Sequence, residues 1–405
     1  MDDPQAYIAA DRRRAIAAGV DLPTRVRGAA LFADISGFTP LTETLARELG
    51  PRRGADELST VLGVVFEALL SRLHAHGGDV ISFSGDAVTC WLDGDDGLRA
   101  VACGLAMQEA MADVGRVVTP SGTAVALAMK VAVAVGEARR LVVGDHRVQL
   151  VDVLAGRLVD HLAAAERRAT TGTVTLDASA LDALGDRADV DVLPADLPGD
   201  ADLPGDADLP GDADLPGDAA GRRVGVLRGL RVPRPAPMPW EPPPDLPEQV
   251  VRQWLLPQVY ERMRSGRGEF LAELRPAVPL FVSFGGIDYD TDPSAHAKLD
   301  EFVMEAQRVV DAYGGSTLQL TLGDKGAYLY AVFGSPLAHE DDAARACAAA
   351  LELRALEGRT SATDLRIGIA TGRLRSGTYG HPTRRTFCCL GDAVNVAARL
   401  MSAAA

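Results

Sequence analysis

Between residues 26 and 38 the apolar run Ala29-Ala30-Leu31-Phe32-Ala33 stops at Asp34 and turns at Gly37, the pattern of a buried strand entering a turn. The period then changes. Over residues 54–75, Leu58, Leu62, Val65, Phe66, Leu69, Leu70 and Leu73 recur at helical spacing, and Gly77-Gly78 closes the helix. Two short strands follow, at 80–83 and 87–92, joined by the tight turn Ser84-Gly85-Asp86. A helix over about 97–113, a strand at 128–135, a hairpin, a helix at 157–166 and a strand at 173–176 complete the order. A βαββαβ order predicts an antiparallel sheet covered by helices on one face, an α+β fold.

The same plan occurs twice. The first copy carries Gly77-Gly78, Ser84-Gly85-Asp86, a strand from Lys130 to Gly136, and Gly156; the second carries Gly314-Gly315, Gly323-Asp324-Lys325-Gly326, a strand from Arg366 to Gly372, and Gly391. Gly78 to Gly136 is 58 residues and Gly136 to Gly156 is 20; Gly315 to Gly372 is 57 and Gly372 to Gly391 is 19. The polar residues are divided between the copies. Asp34 and Asp86 of the first are suited to metal, whereas Lys325, Asn395 and Arg399 of the second are suited to a base, a ribose and a phosphate. Neither half suffices alone, so the site is expected between them.

The predicted organisation is a first domain at 25–190, a Pro/Gly/Asp-rich linker at 191–247, a helical connector at 248–275 and a second domain at 276–405. Residues 195–218 are four identical copies of Ala-Asp-Leu-Pro-Gly-Asp, which cannot build a packed core and read as an expanded loop. The second copy ends at the helix carrying Asn395 and Arg399, so its last strand is expected to be missing and the domain truncated.

Asp34-Ile35-Ser36-Gly37-Phe38-Thr39 places a carboxylate at a strand end, just before a helix N-terminus. Amides there bind phosphate oxygens, and the adjacent carboxylate can hold a divalent ion against them. Asp86 on its hairpin tip can join Asp34, and two carboxylates sharing two ions serve in-line displacement at phosphorus. Taken singly, Asp34 reads first as a helix cap and Asp86 as a turn residue.

As a set, Asp34-Ile-Ser-Gly-Phe, Ser-Gly-Asp86-Ala and Gly391-Asp-Ala-Val-Asn395-Val-Ala-Ala-Arg399 resemble the class III nucleotidyl cyclases. The duplicated layout resembles most the soluble, bicarbonate-responsive type of adenylyl cyclase and its bacterial relatives, and Phe270 to Val282 resembles the join before that group's second catalytic domain. The resemblance covers about 27–180 and 248–400. It implies two ferredoxin-like cyclase domains forming an intramolecular pseudo-heterodimer that converts ATP to cyclic AMP and pyrophosphate with two Mg²⁺ or Mn²⁺ ions. Asp34, Asp86 and the Ile35 carbonyl match metal ligands; Ser36, Gly37, Phe38 and Thr39 match the loop that holds the β- and γ-phosphates; Lys130 matches a phosphate contact. Asn395 matches the ribose-orienting asparagine, Arg399 the transition-state arginine and Lys325 the adenine-contacting lysine. The pseudosymmetric counterpart is degenerate: Asp160 and Ala164 stand where the second copy has Asn395 and Arg399, and Gly285-Gly286-Ile287 stands where the first has Asp34-Ile-Ser.

Two departures change the picture. Cys388 occupies the position of a base-contacting threonine, a cysteine common in guanylyl cyclases, which pair it with glutamate rather than Lys325. A lysine suits the acceptor on adenine, so ATP is favoured, and guanylyl cyclase activity is the near alternative that Lys325→Glu beside Cys388 probes. The family's bicarbonate site has a lysine and an arginine where this chain has Ser82 and Ala163, so bicarbonate stimulation is not expected. The different-class alternative is a nucleotide-sensing module serving a C-terminal effector, since proteins resembling this one often continue into ATPase and helical-repeat regions.

Composition narrows the remainder. The formal net charge of −15 argues against a sequence-independent nucleic-acid binder. No run of about 18 uncharged apolar residues predicts a membrane span, and the start Met1-Asp2-Asp3 lacks an h-region. Five cysteines without zinc spacing fit a reducing compartment, so a cytoplasmic location is expected. Phe83 and Trp91 are expected in the core, His74 and His76 as helix-end cations, and Arg384-Arg385 as a solvated pair on a hairpin.

Overall fold

The computed structural model describes residues 3–193, 223–266, 273–323 and 326–404. The hexapeptide tract and Lys325 lie outside the described residues.

The chain opens with helix α1 (Ala10–Ala17) and then forms β1 (Arg25–Ser36), α2 (Phe38–Leu49), α3 (Pro51–Ala75), β2 (Asp79–Ser84), β3 (Ala87–Asp93) and α4 (Leu98–Val114). A small ribbon, β4 (Arg116–Val118) with β5 (Ala124–Ala126), precedes the long strand β6 (Ala128–Val143) and its partner β7 (Val151–Ala155). The first half continues through α5 (Arg157–Arg167), β8 (Val174–Leu176), α6 (Ala178–Leu184), β9 (Ala188–Leu193) and β10 (Val224–Leu230). Helices α7 (Glu248–Val251) and α8 (Pro257–Arg264) lead into β11 (Glu273–Gly285), α9 (Ala295–Ala312), β12 (Ser316–Thr321) and β13 (Ala327–Phe333). The last elements are α10 (Asp342–Arg354), β14 (Thr363–Ile369), β15 (Gly372–His381), β16 (Arg384–Leu390) and α11 (Asp392–Ala403).

Besides the β4–β5 ribbon, two large sheets form among the described residues. The first runs β2-β3-β1-β6-β8-β10-β9 with β7 on β6; the second runs β12-β13-β11-β15-β16 with β14 on β11. The central pairs are antiparallel, as the alternating strands and helices predict. The difference lies in length: β6 reaches Val143, well past the expected end near 135, because its alternating apolar residues continue into a second core. The stretch expected as a linker also contributes β10 to the first sheet, pairing with β8 and β9.

The two cores are interlocked. Leu141 and Val143 of β6 with Val153 and Ala155 of β7 pack among Val278, Leu280, Phe302 and Leu329 of the second half. In return, Leu374, Tyr379 and Phe387 of β15 and β16 share a core with Phe66, Leu69, Phe83 and Val88 of the first. Polar clasps hold the first exchange: the Gly144 amide donates to Asp300 Oδ1 at 2.8 Å, and the Asp145 amide to Gln307 Oε1 at 2.7 Å. Gln307, fully buried, donates back to the Gln149 carbonyl at 2.8 Å. Within α3, the stretch Arg53–Ala75 has the length and hydropathy to cross a bilayer, yet Leu62, Val65, Phe66, Leu69 and Leu70 sit in this shared core.

The N-terminal helix seals the join with charge. Asp152 on β7 accepts Arg12 Nε at 3.1 Å and Arg140 Nη2 at 2.9 Å, and Arg140 also pairs with Asp11. Asp152, Arg12 and Arg140 are buried, and against the cost of burial the two guanidinium groups hold the Asp152 carboxyl below the usual range. Phe83 and Trp91 are buried as expected. His74 is not a helix-end cation: it is buried, stacks on Trp240 with centroids 3.9 Å apart, and burial pushes it down to about 4, which keeps it neutral. Arg384 is not solvated either. It donates to the carbonyls of Val80 (3.1 Å), Tyr7 (3.0 Å) and Ile81 (3.0 Å), tying the second half to the first and to the N-terminus.

Removing the shared anion strands the buried Arg12 and leaves Arg140 with Asp11 alone. Asp152→Ala is expected to cost roughly 3–5 kcal/mol, read by urea unfolding, with Arg12→Ala costing less because Arg140 still satisfies the carboxylate.

Candidate active site

Strand register places the acidic pair. Asp34 lies at the end of β1 opposite Ala87 of β3, and Ala87 pairs back with Ser84 across the turn that presents Asp86. The two carboxylates therefore come from neighbouring strand ends. Asp86 is pushed up to about 7, first by burial and then by the negative charge of Asp34. Lys130 sits opposite Asp34 on β6, so its amine also reaches this corner: Nζ lies 3.5 Å from Asp34 Oδ2 and 2.5 Å from Glu166 Oε1. Burial opposes the Lys130 charge, but the Glu166 hydrogen bond and the fields of Glu166 and Asp34 raise it above the usual lysine range.

The turn after β1 is fixed by Gly37. Its φ of +98° starts α2, and an added Cβ would stand 2.5 Å from the Ala126 carbonyl oxygen, so a side chain has no room. Ile35 is buried in the core, Ser36 Oγ donates to the Ala128 carbonyl at 3.3 Å, and Phe38 and Thr39 form the first turn of α2. The amides at this N-terminus are available to an anion.

A cavity of about 290 Å³ opens beside the pair. Asp34, Asp86, Ser84, Ala163 and Glu166 line it from the first half, and Thr321, Gly323 and Tyr328 from the second. Strand β12 docks here through Gln319 Nε2, which donates to Ser84 Oγ at 2.6 Å. The other second-half residues lie elsewhere. Asn395 and Arg399 are exposed on α11 and Cys388 is buried in β16, none of them lining this cavity. Burial pushes the Cys388 thiol up to about 12, which leaves it a neutral side chain. Helix α11 nonetheless begins next to the acidic hairpin, because Leu390 Cδ2 is 4.0 Å from where a Cβ on Gly85 would stand. Its seat is backbone on backbone: an added Cβ at Gly368 would stand 2.1 Å from the Ala397 oxygen and 2.2 Å from the Met401 nitrogen.

The counterpart cleft is filled by its own chain. The Asp290 carboxylate accepts the Arg157 amide at 3.1 Å from both oxygens, capping α5, while Arg139 donates to the carbonyls of Tyr289 and Asp292. Asp160, in the place corresponding to Asn395, is raised by burial and by Asp290.

Among the described residues no cluster of three or more His, Cys, Asp or Glu has metal-holding geometry. The donor chemistry of the corner nonetheless fits a hard divalent ion: two carboxylates, one of them pushed up first by burial and then by the charge of the other, a cost that a cation relieves. Glu166 was missed by the sequence reading. The signal was present, since it falls on the same helical face as Val159 and Leu162, both of which line the cavity.

Residues 291–405 match the family described as the adenylate and guanylate cyclase catalytic domain. Adenylate cyclase type 10 of Oryctolagus cuniculus is 24% identical over 395 residues, covering 92% of this chain and 24% of the relative. The Homo sapiens protein of the same name is also 24% identical, with the same coverage. The chain thus spans about a quarter of the length of the curated relatives it matches. A class III adenylyl cyclase-like ATP-binding protein from Pseudomonas aeruginosa superposes with a TM-score of 0.59 at 15% identity, covering 95% of this chain and 84% of that one. The resemblance to the class III nucleotidyl cyclases holds along nearly the full chain, and the fold is theirs.

Two outcomes follow from this geometry. Asp86 titrates near 3.8 in the unfolded chain and near 7 in the fold, so its contribution to stability is full below about 4 and is lost as pH rises through about 7. In metal-free buffer the stability advantage of Asp86→Asn over the parent should grow by roughly 1–3 kcal/mol between pH 4 and pH 8 in denaturant titrations. Gly368→Ala should force α11 off β14 and cost about 1–3 kcal/mol, visible as a lowered midpoint of thermal unfolding.

Proposed function

We propose that this chain is an adenylate cyclase, forming cyclic AMP and pyrophosphate from ATP, with its two halves acting as an intramolecular pseudo-heterodimer. The observation that carries the reading is the convergence of Asp34, Asp86 and Lys130 at one strand end, beside a helix N-terminus and beside the start of α11. The similarity to adenylate cyclase type 10 supports the choice of ATP, as does Lys325 in the sequence.

In this reading Asp34, Asp86 and the Ile35 carbonyl would hold two Mg²⁺ or Mn²⁺ ions, which would lower the pKa of the 3′-hydroxyl and offset the charge of the phosphates. The amides of Gly37, Phe38 and Thr39 orient the β- and γ-phosphates at the head of α2, with Lys130 supplying a further positive contact. Asn395 orients the ribose. One turn further on the same helix face, Arg399 meets the charge that develops on the α-phosphate as the 3′-oxygen bond forms and the pyrophosphate bond breaks. Both residues are exposed and outside the cavity, so assembling the site in this reading requires α11 to move together with β14 toward the acidic corner.

A second reading, nucleotide binding without turnover, draws on one observation: Asn395 and Arg399 do not line the cavity shared by Asp34 and Asp86. The P. aeruginosa relative in fold is itself described as an ATP-binding protein.

Turnover with Mn²⁺, offering ATP and GTP separately and detecting each cyclic product, tests both. Arg399→Ala should cut cyclic AMP formation about 100-fold or more with little change in nucleotide binding. Asp34→Ala should abolish it. Nucleotide binding without product from the parent chain establishes the second reading instead, and cyclic GMP as the main product reverses the base preference.

A further inference from the structure

Lys130 is placed where it competes with any cation that Asp34 binds. Strand pairing sets it directly across from Asp34, and its amine spans the gap between Asp34 Oδ2, at 3.5 Å, and Glu166 Oε1, at 2.5 Å. The three side chains are between 18% and 27% exposed, so the triad is neither in bulk solvent nor sealed from it. An ammonium and a divalent ion cannot share one carboxylate face at these distances. The shorter contact is to Glu166, whose helix also lines the cavity holding Asp34 and Asp86.

We propose that Glu166 is a positioning residue that holds Lys130 as a movable cation at Asp34, and that a divalent ion takes Asp34 as Lys130 withdraws onto Glu166. The inference rests on the reading of Asp34 and Asp86 as metal-holding groups. Its content is the exchange: Glu166 gives the displaced ammonium a carboxylate to move to. Without Glu166, Lys130 keeps Asp34 as its only partner in the triad, and a divalent ion must break that pair with no compensating contact. Without Lys130, this competing cation is removed.

The test is Mn²⁺ binding to the nucleotide-free chain, followed by electron paramagnetic resonance of the free ion, which needs no turnover. Glu166→Gln, nearly isosteric, should weaken Mn²⁺ binding about three- to tenfold, and Lys130→Met should tighten it by a similar factor. In the double variant Glu166→Gln should matter less than about twofold, because its effect runs through Lys130. Equal weakening by Glu166→Gln with and without Lys130 overturns the proposal and makes Glu166 a direct ligand. Binding that depends on Asp34 yet ignores Glu166→Gln overturns the proposal alone. Binding unchanged by Asp34→Asn overturns the metal reading and this inference with it. Far-ultraviolet circular dichroism of each variant confirms that the fold is retained.

Discussion

The reciprocal burial of two strand pairs is the constraint from which the rest of this molecule follows. The β6–β7 end completes the core of the second half, and β15–β16 completes the core shared with α3 and β2–β3 of the first. Burying Leu141, Val143, Leu374 and Phe387 in this way is favourable at roughly 1.5–3 kcal/mol for each side chain. The chemical consequence is positional. Because β16 is pinned against the first half, Leu390 ends beside Gly85, and α11 starts next to the hairpin that carries Asp86. The backbone contact of α11 on Gly368 leaves little freedom to move that helix without moving β14.

Charge is handled differently at the two places where it is concentrated. At the N-terminal join, Asp152 faces Arg12 and Arg140, and Arg140 also faces Asp11, so buried ions satisfy one another and act as a structural lock. At the corner of β1 and β3, burial first and the charge of Asp34 second push the Asp86 carboxyl up to about 7. A fold that tolerates this repulsion keeps a place where a cation gains more than it would on an ordinary surface. Lys130 supplies part of that cation and Glu166 restrains it.

The duplication is broken at the level of single side chains. One cleft presents a glycine turn, the N-terminus of α2 and two carboxylates; at the other, Asp290 caps α5, the counterpart of α11, and Arg139 takes the loop carbonyls of Tyr289 and Asp292. The two clefts therefore differ in what they leave open to a ligand. The cavity at the first extends along α5 rather than α11, so the side chains of Ala163 and Glu166 shape its far wall.

Periodicity alone determined the duplicated order of strands and helices, because apolar spacing is a local property that burial on one face enforces. Motif spacing likewise marked Asp34, Asp86 and Lys130, since strand pairing converts sequence position into neighbouring side chains. Tertiary structure decided everything that depends on long-range register. It buried Arg384 under the carbonyls of Val80 and Ile81, neutralised His74 against Trp240, extended β6 into the partner core, and brought Glu166 to Lys130 from 36 residues further along the chain (166 − 130). A charged residue reads as solvated in a sequence because most are, and only packing reveals which of them face a buried carbonyl or a neighbouring acid. The separation of Asn395 and Arg399 from the cavity is of the same kind: the helix that carries them was legible, but its distance from the acidic corner is set by how two cores interlock.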